Sequence, residues 1–596
     1  MSPNNIFAPT PEDWTPDQEL TPKKKKGISS QQRINILLIL FGAAAVLLGV
    51  QLIREQLFGQ LPKQLASAAP VKLRPRGAIV DVQGYPLALQ RFRYEVVASP
   101  HIMYSQKQAA SKLAPLLGRP EEELLALFKQ HAKDQSSVIL TEDTPPEIGE
   151  AIIALDITGI GVYIYPLRFH PEGSMASHVL GFVSVDNVGT YGLEGYFDSF
   201  LVAPTADIRP HPTPRLEQGH GDLKTEDALP DSPYLPSLAR RDLILTLDRT
   251  LQYIAETELK AGIEKYKADS GVVIVMDPKT SAILAMAGYP DYNPDDYADV
   301  PSKDVYINPA ISKIYEPGSV FKLITFATAL NEGLITPEST FNDTDKYIYK
   351  QQLVQNWDRK GRGQVTAQEA LAKSLNVTTA KIAVNVGQEA FYRTVSRFGF
   401  GSATGVELAY EAGGIVHTPD STGWVPGYLA TNSFGQAISV TPLQMANAVA
   451  AIAAGGVRHR PHIVDMSIKD DLIHITEPES LSRAISEESA RTLTQMMIAA
   501  ANHTKAATIP GYAIAGKTGT AEIPGLGGYK ENRTITTFVG FFPADDPQFL
   551  ILVKLERPKT SAWAGKTAAP VFRNIAQQII TKYGIPPDDI RLNASP

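Results

Sequence analysis

A serine and a lysine separated by two residues are the first groups in this chain that could do chemistry. Ser319 and Lys322 stand just before an apolar run of helical periodicity that ends near Gly333. Pro317 and Gly318 favour a helix that begins at Ser319, where unpaired backbone N–H groups and the helix dipole would stabilise negative charge on the hydroxyl oxygen. Lys322 would lie on the same helical face. With its pKa lowered by burial, the lysine would serve as general base for a serine nucleophile.

Two later segments supply the other polar groups that such a reaction needs. Ser374 and Asn376 lie in a Ser-Leu-Asn sequence, and Lys517 opens a Lys-Thr-Gly-Thr sequence that ends at Thr520. They add a second hydroxyl, a carboxamide and a second amine. A lone S-x-x-K occurs by chance in many chains, but three such segments in this order indicate a serine acyltransferase that uses lysine instead of histidine.

On these motifs, the chain resembles a class B penicillin-binding protein, a peptidoglycan D,D-transpeptidase with the fold of the serine β-lactamases. The resemblance covers nearly the whole chain. Residues Arg76–Asp81 and Gly192–Glu194 resemble the non-catalytic pedestal of that family, and Thr246–Asp248 resembles the entry to its transpeptidase domain. The sequence departs from the family pattern after Leu201, where Pro204 onward replaces an expected glycine-bearing hairpin.

The resemblance implies a role for each catalytic candidate. Ser319 would attack the penultimate D-Ala carbonyl of a donor stem peptide, and Lys322 would take its proton. Ser374 and Lys517 would relay a proton to the leaving D-Ala amine. Asn376 would position Lys322 and the substrate amide. The resemblance implies no metal and no cofactor.

The third motif is expected to bind the substrate. Thr518 and Thr520 would hold its terminal carboxylate, and Gly519 would leave room for the peptide to lie along the strand as an added β-strand. The backbone N–H groups of Ser319 and Thr520 would form the oxyanion hole. An amine from a second stem peptide would then resolve the acyl-enzyme. The family also implies covalent inhibition by β-lactams and a multipass glycan polymerase as partner.

Parts of the sequence also fit other functions. A β-lactam-acylated sensor without cross-linking activity and an elongation-type transpeptidase both remain open, although Tyr315 and Glu316 before the serine resemble the division-type branch. A hydrolase would need a base to activate water, and Glu369 and Glu411 are interpreted as surface or structural carboxylates. Residues 511–518 match the P-loop pattern G-x-x-x-x-G-K-[ST], but prolines and glycines follow where a helix is required.

The sequence around the motifs predicts an α+β fold. An antiparallel sheet flanked by helices, with a helical insert, would form a serine β-lactamase/transpeptidase-like domain on an α/β pedestal. The clearest helix should begin at Thr441, since a Thr, a Pro and a Gln in capping positions precede an apolar run. The predicted strands and the closing helix are 271–276, 281–287, 512–522, 537–542, 548–555 and 571–583.

One N-terminal transmembrane helix is predicted at residues 34–53, because this apolar run would span ~30 Å as a helix. Lysines 23–26 precede it, so the positive-inside rule predicts a cytoplasmic N-terminus and an extracytoplasmic catalytic domain on the bacterial cytoplasmic membrane. A signal peptide cleaved after Ala68 is the rival interpretation. The expected regions are a cytoplasmic tail (1–33), the anchor (34–53), the pedestal (54–203), a Pro- and charge-rich flexible linker or loop (204–240) and the transpeptidase domain (241–596).

Composition excludes several other functions. Of the 596 residues, 43% are hydrophobic and 20% are charged, which suits a largely globular chain better than a disordered or polytopic one. The net charge of -7 gives no electrostatic reason to bind nucleic acid. The chain has no cysteine, so thiol nucleophiles, disulfides and Cys-ligated metal centres are all excluded.

Overall fold

A computed structural model of the protein describes residues 75–203, 215–216, 237, 239–470, 472–525 and 528–593, which belong to one compact unit. The strands are β1 (Ile79–Val80), β2 (Pro86–Ala98), β3 (Val138–Thr144), β4 (Ile160–Phe169), β5 (Phe182–Val183), β6 (Gly189–Thr190), β7 (Arg215–Leu216), β8 (Arg241–Leu245), β9 (Ser270–Met276), β10 (Ile283–Tyr289), β11 (Thr340–Asp343), β12 (Tyr347–Tyr349), β13 (Gln352–Val354), β14 (Gly363–Thr366), β15 (Val457–His459), β16 (Val464–Lys469), β17 (Leu472–Ile475), β18 (Ser480–Arg483), β19 (Ala515–Gly525), β20 (Gly528–Phe542) and β21 (Phe549–Glu556).

The α-helices are α1 (Gln106–Leu117), α2 (Glu121–Lys133), α3 (Pro146–Ala154), α4 (Ser177–Leu180), α5 (Gly192–Tyr196), α6 (Asp198–Leu201), α7 (Arg249–Tyr266), α8 (Lys322–Asn331), α9 (Ala367–Ala372), α10 (Asn376–Val386), α11 (Gln388–Arg397), α12 (Tyr428–Asn432), α13 (Pro442–Ala453), α14 (Glu487–Thr504), α15 (Ala568–Tyr583) and α16 (Asp588–Asn593). Short 3₁₀ helices occupy Pro100–Ile102, Pro294–Asp296, Lys303–Tyr306, Gly318–Val320 and Ala564–Lys566.

The catalytic candidates lie around a five-stranded antiparallel sheet of order β10-β9-β21-β20-β19. Its central strands are buried on both faces. In β9, Val272, Ile274 and Met276 pack into one core, whereas Val273 and Val275 pack into a second core with α7 and α15. Because side chains alternate between the faces of a strand, burial on both sides explains the continuous apolar runs in the sequence. The predicted antiparallel sheet with helices on both faces is confirmed.

The section between β10 and β19 is mainly helical, and its best-defined helix begins where the sequence predicts. The Thr441 side chain accepts a hydrogen bond from the Gln444 N–H, and the Gln444 side chain accepts one from the Thr441 N–H. Pro442 occupies the first turn of α13. The section is not purely helical, since it also contains the strand pairs β11–β14, β12–β13 and β15–β18.

The pedestal and the catalytic region share a sheet. β8 pairs in parallel with β1 and antiparallel with β16, within the order β3-β2-β1-β8-β16-β17-β7, and β4 pairs with β2. The predicted boundary at residue 240 therefore falls immediately before a strand of the pedestal's own sheet. Both faces of β8 are buried: Leu243 and Leu245 join the core that covers one face of the five-stranded sheet, and Ile244 packs with Val80 and Met466.

Two predicted regions fall largely outside the described residues. The predicted anchor, 34–53, is one of them, and among the helices that are described none has the length and hydropathy needed to cross a membrane. The other is the predicted linker, 204–240, of which residues 215–216 form β7 beside β17.

Candidate active site

The candidate nucleophile lies in a tight turn at the front of the catalytic sheet. Ser319 is in the 3₁₀ helix Gly318–Val320, and α8 begins at Lys322. The prediction that the α-helix starts at Ser319 was thus early by one turn, because a 3₁₀ turn forms the helix entry. This turn packs directly against β19: a Cβ atom added at Gly519 would lie 2.5 Å from Cγ2 of Val320. Only a glycine allows the strand to approach so closely.

Two buried lysines converge on one serine. Lys322 Nζ donates to the Ser374 carbonyl oxygen at 2.5 Å and to Ser374 Oγ at 3.2 Å. Lys517 Nζ donates to the same Oγ at 3.0 Å and to the Thr518 carbonyl at 3.2 Å. Three motifs that are far apart in the sequence therefore lie together. Lys322 and Lys517 both contact Ser374, and the turn that contains Ser319 packs against β19, the strand that carries Lys517.

Burial is the main reason that both amines have lowered pKa values. It lowers the pKa of Lys517 to about 7. Burial also lowers the pKa of Lys322 well below its ordinary value, the charge of Lys517 lowers it further, and Asp343 acts in the opposite direction. A lysine with a lowered pKa is partly neutral near pH 7, which is the protonation state that a general base requires.

Ser374 reaches the two amines from a strained backbone position. It follows α9 and precedes α10, and its φ of 57° lies in the left-handed region, which is uncommon for a residue with a side chain. Its N–H donates to the Leu371 carbonyl at the end of α9. The turn ends one helix and starts the next, and it keeps the Ser374 hydroxyl between Lys322 and Lys517. Strain of this kind is common at functional sites.

The other predicted site residues lie at the same place, with one difference in contacts. Asn376 is the first residue of α10, but its side-chain amide donates to the Gln355 carbonyl at 2.9 Å, and within the described residues no hydrogen bond joins it to Lys322. Thr518 and Thr520 are half-buried on β19. β19 is an edge of the catalytic sheet, and no described strand pairs with its outer side. Its free backbone groups could accept an extended peptide.

The sequence did not reveal the segments that hold these motifs from behind. Glu316 accepts a hydrogen bond from the Ala437 N–H, and the Gly318 N–H donates to the Gly435 carbonyl at 3.0 Å. On the other side, Asn356 accepts hydrogen bonds from the first backbone N–H groups of α10. Gly435, Ala437 and Asn356 carry no motif that would identify them, because their contacts depend on loops that are distant in the sequence.

Known proteins resemble this chain over both of its regions. A model of the penicillin-binding protein transpeptidase domain matches residues 271–577, and a model of the penicillin-binding protein dimerisation domain matches residues 72–205. The chain belongs to the penicillin-binding protein transpeptidase family.

Individual relatives align over most of their length. Stage V sporulation protein D of Bacillus subtilis is 32% identical over 524 residues, which covers 86% of this chain and 79% of the relative. Peptidoglycan D,D-transpeptidase FtsI of Escherichia coli is 31% identical over 525 residues, covering 86% and 84%. The crystal structure of penicillin-binding protein 3 from Mycobacterium tuberculosis, complexed with aztreonam, matches with a TM-score of 0.66 and 26% identity, covering 86% of this chain and 97% of that one.

The competing sequence patterns have structural explanations in this penicillin-binding protein. Lys517 and Thr518 lie within β19, which continues to Gly525, so the helix that a P-loop requires is not formed after them. Glu369 completes a capping box with Thr366 at the start of α9. Glu411 accepts hydrogen bonds from neighbouring loop groups. Both carboxylates thus have structural partners, as the sequence interpretation expected.

An exposed aromatic pair lies close to the third motif. The Trp357 and Trp563 rings meet edge to face at 4.9 Å between centroids, although both side chains remain substantially exposed. Trp563 adjoins Ala564, whose N–H donates to Thr520 Oγ1 at 3.3 Å. Trp357 follows Asn356 in the chain. The pair therefore connects the loop behind α10 with the end of the Lys-Thr-Gly-Thr motif.

Proposed function

We propose that this protein is a membrane-anchored serine D,D-transpeptidase that cross-links peptidoglycan stem peptides through an acyl-enzyme on Ser319. One observation carries the assignment of roles: two buried amines, Lys322 and Lys517, share the Ser374 hydroxyl beside the turn that presents Ser319. The arrangement supplies a nucleophile, a base with a lowered pKa and a second proton carrier. The family and its peptidoglycan D,D-transpeptidase relative agree with this chemistry.

Acylation begins with the donor stem peptide. Neutral Lys322 takes the proton of Ser319, and the serine oxygen bonds to the penultimate D-Ala carbonyl carbon. The tetrahedral oxyanion accepts hydrogen bonds from the backbone N–H groups of Ser319 and Thr520. Loss of one such donor typically costs ~3 kcal/mol of transition-state stabilisation. The carbon–nitrogen bond then breaks. The terminal D-Ala leaves as an amine, after it receives a proton relayed through Ser374 and Lys517.

Deacylation repeats these steps in reverse with a second stem peptide. Its amine attacks the ester carbonyl, the new amide bond forms, and the proton that the amine loses returns to Ser319 as the ester bond breaks. Asn376 orients the donor amide at the start of α10. β-Lactams enter the same first step, and the Mycobacterium tuberculosis relative crystallised with aztreonam supports this expectation.

The donor peptide is proposed to bind as an extra strand on the free edge of β19. Thr518 and Thr520 would bind its carboxylate, while Gly519 keeps the strand close to the nucleophile turn. Main-chain hydrogen bonds give such peptides affinity without demanding particular side chains.

Membrane anchoring completes the proposal. Residues 34–53 would hold the enzyme in the cytoplasmic membrane with the catalytic region outside, which is where its substrate would be cross-linked. A multipass glycan polymerase would be its membrane partner. We place the enzyme in septal wall synthesis because of its resemblance to the division-type branch. A fluorescent fusion in the native host should concentrate at division sites, whereas uniform labelling of the side wall would favour the elongation-type alternative.

Mass spectrometry after exposure to a labelled penicillin tests the assignment. The full-length protein should carry one adduct, on Ser319, and Ser319→Ala should carry none. Ser312→Ala is a matched control, because the Ser312 hydroxyl lies outside the site and donates to the Tyr410 carbonyl. An adduct on another residue, or a folded but unlabelled protein, would contradict the mechanism. A labelled protein that cannot join a donor peptide to an amine acceptor would instead be the sensor.

A further inference from the structure

A side chain that is distant in the sequence caps the helix carrying the second motif. The N-cap position of α10 is Leu375, whose side chain cannot accept a hydrogen bond. Asn356 does so instead: its Oδ1 accepts from the Asn376 N–H at 2.8 Å and from the Val377 N–H at 3.2 Å. Asn356 is 2% exposed. Since Ser374 and Asn376 sit at this helix start, Asn356 fixes the backbone that carries both of them.

Asp343 in turn holds Asn356. The Asn356 Nδ2 donates to Asp343 Oδ2 at 2.7 Å and to the Lys360 carbonyl at 2.9 Å, so the carboxamide uses both of its ends. Asp343 Oδ1 also accepts from Thr378 Oγ1 at 2.8 Å in the first turn of α10. The Arg362 N–H donates to Asp343 Oδ2 at 3.1 Å. Asp343, at the end of β11, thus contacts α10 both directly and through Asn356.

Asp343 also acts on the general base through space. Burial and the charge of Lys517 lower the pKa of Lys322, and the negative charge of Asp343 is the influence that raises it. In the described part of the chain, Lys517 and Asp343 are the charged groups that act on Lys322, while Ser374 supplies uncharged acceptors. Loss of the carboxylate should therefore leave Lys322 with an even lower pKa.

We propose that Asn356 and Asp343 are positioning residues for the Ser374–Asn376 segment. This inference rests on the proposed function, because it concerns how the acylation machinery is held. Neither residue belongs to the three motifs. Both act through other groups: Asn356 through the first N–H groups of α10, and Asp343 through Asn356 and Thr378.

The first test removes the remote cap. Asn356→Ala in the full-length protein should lower the second-order rate of Ser319 acylation by labelled penicillin by about 10- to 100-fold, since small displacements of catalytic groups are costly. Asn447→Ala is the matched control, because Asn447 is similarly buried and also bridges two segments, through Ser281 and His459, away from the site. Equal rate losses in the two variants would assign Asn356 a purely structural role.

The second test exchanges the two partners. Asn356→Asp should slow acylation strongly, because the introduced carboxylate would face that of Asp343. Combining it with Asp343→Asn restores one donor and one acceptor between the two positions, with the direction of the hydrogen bond reversed. The double variant should therefore react faster than N356D alone. A double variant as slow as the product of the two single losses would contradict a direct coupling.

The third test separates charge from structure. The acylation rate falls at low pH as Lys322 becomes protonated, and Asp343→Asn should move this acidic limb to lower pH. Melting temperatures identify variants that lose their fold. An unshifted limb would show that Asp343 acts only through its hydrogen bonds, and a wild-type rate in N356A would overturn the positioning role. Failure of the wild-type protein to form a Ser319 adduct would instead overturn the proposed function itself.

Discussion

Four cationic side chains are largely removed from solvent but meet different partners: Arg76 and Arg168 in the pedestal, and Lys322 and Lys517 in the candidate active site. The two arginines enclose Glu194, with Arg76 Nε and Arg168 Nε each 2.6 Å from one of its carboxylate oxygens. The two lysines share the hydroxyl oxygen of Ser374, and in the described part of the chain no carboxylate forms an ion pair with either of them.

The difference separates buried charges that form ion pairs, and so hold structure, from buried amines for which we propose a chemical role. Burial alone would raise the pKa of Glu194, but Arg168 and Arg76 lower it below its ordinary value, so the pedestal cluster stays ionised. Around Lys517, burial acts without a described carboxylate to oppose it and lowers the pKa to about 7. Paired charges are fixed in one protonation state, whereas a buried amine without a carboxylate partner can exchange a proton near neutral pH.

Lys322→Met should give the largest effect and would test the chemical half of this comparison. Removal of a general base typically costs about 10²- to 10⁴-fold, so acylation of Ser319 by labelled penicillin should fall within that range. Stability should not fall, because methionine replaces a desolvated amine with an apolar chain of similar length. Stopped-flow acylation and thermal melting measure the two quantities. A variant that unfolds, or one that reacts at the wild-type rate, would contradict a chemical rather than structural role for Lys322.

Arg168→Met tests the structural half. It would leave one side of the buried Glu194 unpaired, and breaking a buried ion pair in this way costs about 3–5 kcal/mol in free energy of unfolding. Chemical denaturation measures the loss, and the folded fraction should still acylate Ser319. Asp546→Asn, in the exposed pair with Lys279, is the control and should change stability by less than about 1 kcal/mol. Equal losses of free energy of unfolding in the two variants would mean that the buried pedestal cluster stabilises the fold no more than an exposed ion pair does.

The pH dependence of stability should separate the two clusters, because both lose stability as pH falls but in different pH ranges. Lys517 has a pKa of about 7 when folded and about 10.5 ordinarily, so the wild type should lose stability relative to Lys517→Met as pH falls from 10.5 to 7. Glu194 has a lowered pKa, so its contribution is present above about 4.5 and is lost as pH falls further.

Thermal melting of the wild type, Lys517→Met and Glu194→Gln across pH 3 to 10.5 separates these contributions, since each variant lacks one titrating group. A stability difference between the wild type and Lys517→Met that stays constant above pH 7 would contradict the lowered pKa of the lysine.

Parts of the fold were predictable because they depend on local patterns. The α13 capping box at Thr441 and the buried runs of β9 and β21 follow from the order of residue types within a few positions. The shared sheet formed by β1, β8 and β16 was not predictable, because it pairs segments that are far apart in the chain. The same limit applies to Asn356, which caps a helix that is distant from it in the sequence.

The sequence by itself determined which groups are present for the proposed catalysis: a serine, two lysines, a second serine and an amide in three short motifs, together with the elements that carry them. Only the tertiary structure decided their conformations, their hydrogen bonds and their protonation states. Ser374 adopts a left-handed turn, and its hydroxyl accepts a hydrogen bond from Lys517. The Asn376 side chain donates to the Gln355 carbonyl. All three features depend on contacts between distant segments. Burial sets the pKa of an amine, and burial is a property of the folded chain.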